Sequence, residues 1–275
     1  MKYNAWNKSN KIQADFEKAL NKIRRYLLRI ANTSDINEFI NNMNKFQNSD
    51  LFKRLVYTSV KNMVTPLAIM NMKTWRKAAK KATKNPLTYR LLLKELDRGI
   101  GSDIDRMVLE NSRLISTLPS DVAEKVNKNI SKLTFEGKRS SQIAKEIMKY
   151  TNQHAKASAK LIARTETGKT MEALTRSRSE NLGINWYIWR TAEDGDRVRP
   201  SHRNMNGVLV RYDDPPSPEK LIGESSVGKY NAGGIWNCRC YAEPLIDIDD
   251  VKWPCRVYSN GNIKSMHKKE FEVII

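Results

Sequence analysis

The sequence predicts an α+β protein in two parts: a basic, mainly helical N-terminal region, then a small α+β or mostly-β C-terminal module with a long loop. Three observations carry this. Apolar residues step by three or four through the N-terminal part, as on one face of a helix. After Gly183, short aromatic and β-branched runs alternate with turn residues. The charge divides at the same place: 36 basic and 17 acidic residues precede Ile184, and 13 of each follow from it to the end.

The elements follow in order. Ile12, Phe16, Leu20, Ile23, Leu27 and Ile30 draw one stripe along a first helix. Thr33-Ser34-Asp35 supplies an N-cap for a second, with Ile36, Phe39, Ile40, Met43 and Phe46 on its apolar face. Ser49-Asp50 begins a third, with Leu51, Leu55, Val56, Val60 and Met63, and Pro66 is expected to end or kink it. Lys73, Arg76, Lys77, Lys80, Lys81 and Lys84 crowd the next helix, broken at Asn85-Pro86. Helices are expected at about 87–98, 103–117 and 120–133, with Leu118-Pro119-Ser120 between the last two. Gly137 marks a turn before a helix from Ser141 to Tyr150. A long helix then runs from Gln153 to Leu182, where Gly183 is placed to stop it.

Beyond Gly183, residues 184–189 and 208–212 read as strands, the second entered from an Asn206-Gly207 turn. Residues 213–236, rich in proline and glycine, read as one long loop, and loops of that length tend to be functional or mobile. Asn237 to Glu243 is a third strand stopped by Pro244. A hairpin about Asn260-Gly261 closes the chain. The expected organisation is a basic helical region over 1–150, a long connecting helix over 151–183 and a compact module over 184–275.

Composition narrows the function classes. The formal charge of +19 on 275 residues lies wholly in the helical part. A basic region joined to a neutral one points to a polyanion or an acidic protein surface as its partner, against plain solvation of a Lys-rich surface. With 40% hydrophobic residues the chain can bury a sizeable core, which argues against wholesale disorder. There is no apolar run of about 18 residues to span a membrane. The first residues lack the apolar core of a signal peptide. Three cysteines at irregular spacing argue against a disulfide scaffold and for synthesis in a reducing cytoplasm.

Chemistry-bearing residues concentrate between Trp189 and Cys240. His202, Cys238 and Cys240 offer imidazole and thiolate ligands to a soft divalent metal such as zinc, which takes four. Residues two apart on a strand face the same way, so both cysteines can meet His202. Cys255, Asp194 or Asp196 is a candidate fourth ligand. The alternatives are two small buried strand residues beside a hydrogen-bonded histidine, or a disulfide formed after release from the cell. Asp194-Gly195-Asp196-Arg197-Val198-Arg199 favours a tight turn with arginines forked onto its carboxylates. Its functional counterpart is an acid/base or metal-assisted hydrolytic site centred on His202. No nucleophile, phosphate-cradling loop or cofactor fingerprint accompanies it, so no catalytic residue is assigned.

Two helical sets remain. On Ala163-Arg164-Thr165-Glu166-Thr167-Gly168-Lys169-Thr170, Arg164 has no carboxylate four residues away in its own helix, so either an exposed face or a docking role fits. Gly168 costs helix stability and predicts a close backbone contact. Lys73, Arg76, Lys77, Lys80, Lys81 and Lys84 suit salt-sensitive, sequence-independent contact with phosphates. No helix-turn-helix, zinc-finger or RNA-binding signature accompanies them.

Ile162-Ala163-Arg164-Thr165-Glu166-Thr167, Gly183-Ile184, Trp189, the run Arg197-Val198-Arg199-Pro200-Ser201-His202, Gly207, the proline-rich loop and Asn237-Cys238-Arg239-Cys240 together resemble the phage head morphogenesis (Mu F-like, minor head protein) domain. The preceding Gly137-Lys138-Arg139-Ser140 turn resembles its lead-in. The likeness spans about residues 130–245. It departs at Glu193-Asp194-Gly195-Asp196, where the acidic positions are displaced from the family pattern. The resemblance implies a structural, low-copy, non-enzymatic head protein of a tailed phage. It implies a place in the virion near the portal, and the host cytoplasm during assembly. The implied partners are the portal protein, capsid or scaffolding protein, and double-stranded DNA bound without sequence preference, with no membrane. The implied roles are head morphogenesis and DNA packaging, retention or ejection. Arg164, Glu166, Arg197, Arg199, His202, Cys238 and Cys240 are the family-like positions. Related domains occur joined to toxin modules, and no such module is expected within this chain. A metal-dependent hydrolase or nuclease centred on His202, and a non-specific DNA-binding protein, are the competing readings.

Overall fold

The computed structural model describes residues 5–81, 101–135, 139–193 and 195–275. Its helices and strands run in the order α1 (Asn10–Ile30), α2 (Ile36–Asn48), α3 (Asp50–Lys81), α4 (Gly101–Ser116), α5 (Leu118–Phe135), α6 (Ser140–Asn181), β1 (Trp186–Thr191), α7 (Pro200–Met205), β2 (Leu209–Arg211), β3 (Cys240–Pro244), β4 (Cys255–Ser259), β5 (Asn262–Met266) and α8 (Lys268–Glu272). The predicted α+β class, helical first and with a small sheet after, is the class found.

Contacts divide the chain into two units: Asn10–Pro66 with Gly101–Glu166, and the described parts of Met1–Ser9, Leu67–Ile100 and Thr167–Ile275. The first unit is helical. The α1 stripe buries Phe16, Leu20, Ile23 and Leu27. Asp35 caps α2 by accepting from the Asn37 and Glu38 amides, and Phe39, Met43 and Phe46 go inside. α2 packs on α5, whose Ser120 amide donates to Gln47 Oε1 at 3.0 Å.

Three sequence expectations change here. Pro66 neither ends α3 nor separates the basic set from it: the helix runs on to Lys81. An internal proline costs about 3 kcal/mol, and the buried Val60, Met63, Val64, Leu67 and Ala68 on either side of it offset that cost. Leu118-Pro119-Ser120 is the first turn of α5 rather than a gap, a position where a missing proline N–H is harmless. The helices expected at Ser141–Tyr150 and Gln153–Leu182 are one 42-residue helix, continuous through the buried Thr151. The helix expected at about 87–98, Lys84, the Asn85-Pro86 break and Gly137 lie outside the described residues.

In the second unit five strands form one sheet in the order β3-β1-β2-β4-β5. All pairs are antiparallel except β2 with β4, which meet in parallel at Leu209 and Val257. The sheet has two apolar faces. Trp186, Leu209, Val257 and Phe271 of α8 pack on one, with Cys255 against them. Tyr187, Trp189, Val210, Tyr258, Cys240 and Ala242 pack on the other. This second face meets the end of α6, where Ser179 Oγ lies 3.3 Å from Tyr212 Oη. Gly183, in the left-handed conformation, ends α6 as expected, and the Ile184 amide returns to the Ser179 carbonyl at 2.8 Å. Asn260 and Gly261 both have positive φ, the backbone that a two-residue hairpin turn requires.

Candidate functional site

The site is assembled from three segments of the second unit: the strand β1, the short helix α7 and the loop that runs from β2 to β3. Pro200 opens α7 with a φ suited to a first helical position, so Arg197-Val198-Arg199-Pro200-Ser201-His202 turns from a 3-10 segment (Gly195–Arg197) into a helix. Ser201, His202 and Met205 face inward. Arg203 faces out and meets the solvent-exposed Asp196 at 3.3 Å. The arginine that holds this acidic turn is therefore Arg203. Arg199 instead donates to the Trp236 carbonyl at 3.0 Å and lies over the Trp236 ring, tying the start of α7 to the loop ahead of Cys238.

Both cysteines face His202, but not as neighbours on one strand. β3 begins at Cys240, and Cys238 precedes it in the loop. Asn237, at φ 55°, supplies the turn that swings Cys238 inward. The Cys240 amide then donates to Cys238 Sγ at 3.3 Å. His202 Nδ1 lies 3.3 Å from Cys240 Sγ and 3.6 Å from Cys238 Sγ. The three side chains are 2%, 4% and 5% exposed, so this is a sealed cluster rather than an open cleft.

On the far side of the imidazole, His202 Nε2 is 2.9 Å from Tyr230 Oη, and Tyr230 donates to Glu219 Oε1 at 2.6 Å. Since the tyrosine proton goes to the carboxylate, its oxygen accepts from Nε2–H. That fixes the tautomer: Nδ1 carries a lone pair, and it points at the two sulfurs. The Trp189 ring closes the cluster edge-on to His202 at 5.6 Å.

The sulfurs titrate as a pair. Cys238 is held well below the usual thiol range, chiefly by the Cys240 thiol beside it. Burial pushes Cys240 up, and the neighbouring sulfur pushes it further. One negative charge forms readily on the pair and a second is opposed. Burial also pushes Tyr230 up, reinforced by its bond to Glu219, which keeps the phenol protonated.

Sequence reasoning missed Tyr230 and Glu219. They lie in the aperiodic 213–236 stretch, where no spacing marks them, yet Pro216, Ser217, Pro218 and Glu219 are buried. None of the expected fourth ligands joins the cluster among the described residues. Cys255 packs on the opposite face of the sheet, Asp196 is turned to solvent, and Asp194 lies outside the described residues. The three cysteines are free.

The family-like positions on α6 are not an exposed face. Ile162, Ala163, Thr165, Glu166, Thr167 and Thr170 are buried, and Arg164 is half-buried. Gly168 lies beside the loop, but a Cβ there would sit at an ordinary contact distance, 3.6 Å from the Gly233 carbonyl oxygen. Gly233 has φ 96°, and a Cβ on it would meet the Cys240 carbonyl at 3.3 Å. Gly233, in a backbone conformation that other residues rarely adopt, lets the site loop cross the helix. One turn on, Glu172 is pushed up to about 7 by burial, against the lowering effect of Arg176. Of the basic set, Lys73, Arg76, Lys77, Lys80 and Lys81 lie on α3. Lys73, Arg76, Lys77 and Lys80 are exposed, whereas Trp75 and Ala79 between them are buried. Arg197 is also exposed.

Residues 122–243 match the model of the family described as Phage Mu protein F like protein, so a Mu F-like segment runs from α5 into β3 and includes the whole cluster. The chain is 27% identical over 171 residues to an uncharacterized protein of Haemophilus influenzae, covering 62% of this chain and 34% of that one. It is 30% identical over 133 residues to the NAD(+)–arginine ADP-ribosyltransferase EFV of Enterococcus faecalis, covering 46% of this chain and 26% of that one. The chain thus spans a third and a quarter of the length of these relatives. No solved structure matches significantly.

Proposed function

We propose that this chain is a minor head protein of a tailed phage, placed in the virion at the portal and acting in head morphogenesis and in DNA packaging, retention or ejection. The observation that carries the reading is the Mu F-like match over residues 122–243, which supports a phage head protein. Portal, capsid or scaffolding protein and DNA are the proposed partners.

The geometry favours a docking module over an enzyme. His202 is spent on contacts within the fold, to two sulfurs on one nitrogen and to Tyr230 on the other. Asp196, the described carboxylate proposed for a hydrolytic or nuclease centre, faces solvent. This chain matches only 26% of the length of the ADP-ribosyltransferase relative, so that relative's named reaction is not assigned to it. The exposed Lys73, Arg76, Lys77 and Lys80 are the proposed polyanion contact. No helix among the described residues is long and apolar enough to cross a membrane.

Quantitative mass spectrometry of purified heads tests the proposal. The chain is expected at a few copies per particle. Heads that assemble, package and eject normally without it would overturn the reading.

A further inference from the structure

We propose that His202 Nδ1, Cys238 Sγ and Cys240 Sγ bind one zinc-type divalent metal ion, with Tyr230 and Glu219 as the groups that orient the histidine. The three ligand atoms converge within 4.8 Å of one another, and no other histidine, cysteine or carboxylate joins them among the described residues.

Four features point to a metal rather than to packing. The first is spacing. With Zn–N near about 2.0 Å and Zn–S near about 2.3 Å, a tetrahedral ion holds nitrogen and sulfur ligands about 3.5 Å apart. The observed separations are 3.3 and 3.6 Å. The second is the tautomer. Ligating histidines donate their other ring N–H to an oxygen that fixes the ring, and the Nε2–Tyr230–Glu219 relay does so while leaving the Nδ1 lone pair toward the sulfurs. Third, charge closes: a 2+ ion, two thiolates and a neutral imidazole sum to zero, which suits ligands this deeply buried. The two thiol protons leave to solvent as the ion enters. Fourth, the Cys240 amide donates to Cys238 Sγ at 3.3 Å, a hydrogen bond that favours the thiolate form of that sulfur.

The ion would join α7 to the loop ahead of β3 and complete a module whose longest connection has little regular structure. Among the described residues three protein ligands converge, which leaves one position of a tetrahedral ion to a further ligand.

The test uses the full chain, purified without chelator from medium supplied with zinc. Elemental analysis is expected to find about one zinc per chain. Cobalt(II) in its place is expected to give an intense thiolate-to-cobalt charge-transfer band in the near ultraviolet. Chelation is expected to lower the melting temperature by about 10 °C and to expose two additional reactive thiols beyond Cys255. C238S/C240S is expected to abolish metal binding. Y230F, which keeps all three ligands, is expected to retain one zinc per chain with roughly 10- to 100-fold weaker affinity. Should the cysteine variant fail to fold, the wild-type chelation and thiol measurements decide alone. Metal-free folded protein that gains no melting temperature on adding zinc overturns the proposal. So does a Cys238–Cys240 disulfide in protein purified without reductant.

Discussion

The helical unit and the sheet module are held together in different ways. In the first, stripes such as Phe16, Leu20, Ile23 and Leu27 bury apolar surface repetitively, and caps such as Asp35 finish the ends. In the second, an apolar sheet face is interrupted by a connected set of polar groups. His202, Tyr230 and Glu219 form one relay. Tyr187, Asn231 and Tyr212 form another, with Tyr187 Oη 3.1 Å from Asn231 Oδ1 and Asn231 Nδ2 donating to the Tyr212 carbonyl at 3.2 Å. A stripe tolerates substitution in proportion to the area removed, whereas a buried polar relay loses its partner groups all at once.

The largest expected effect lies in the module. Trp189→Ala removes a fully buried ring that packs on His202, and is expected to cost about 3–5 kcal/mol in denaturant unfolding. A loss under about 1 kcal/mol would mean that the cluster does not depend on its apolar lid.

The next effect depends on pH. Folded Glu172 sits at about 7 against an ordinary 4.5, so between these values the unfolded chain has released a proton that the folded chain keeps. Stability from this group is therefore undiminished below about pH 4.5, falls as pH rises through the window, and levels off above about 7. Over the window the fall is at most about 3 kcal/mol. Glu172→Gln is expected to remove this pH dependence and to be the more stable protein at pH 8. Parallel stability curves for the two proteins would contradict the burial argument.

Asn231→Ala comes third. It removes the acceptor of the Tyr187 hydroxyl proton and the side-chain donor to the Tyr212 carbonyl, and about 1–3 kcal/mol is expected to be lost. In the helical unit, Asp35→Ala removes a cap and is expected to cost only about 1 kcal/mol. If the cap proved the costlier of the two, the contrast between the units would fail. Smallest of all is the change in stability on neutralising Lys73, Arg76, Lys77 and Lys80, within about 0.5 kcal/mol each. Their effect is expected in DNA binding, where removing one phosphate-neutralising side chain reduces the salt slope by about 1.

The contrast also accounts for what could be read in the chain. Periodicity revealed α1 and α2, Gly183 revealed the end of α6, and Asn260-Gly261 revealed the hairpin, because each is a local rule acting over a few residues. His202, Cys238 and Cys240 were legible as a set because of their residue types. The way they meet was not: Cys238 reaches His202 through the left-handed turn at Asn237, off the strand that was expected to carry it. Tyr230 and Glu219 were invisible because a loop has no period, and only the fold shows which of its residues turn inward. The continuity of α3 through Pro66 was not legible either, because burial on both sides of a local helix breaker overrides it.

We propose that this chain works at the portal of a phage head. Co-expression with the portal protein of the same phage, followed by native mass measurement of the purified complex, tests it most directly. A stable complex of portal oligomer with this chain is expected. Clean separation of the two proteins at low salt, with this chain recovered folded and alone, would contradict it.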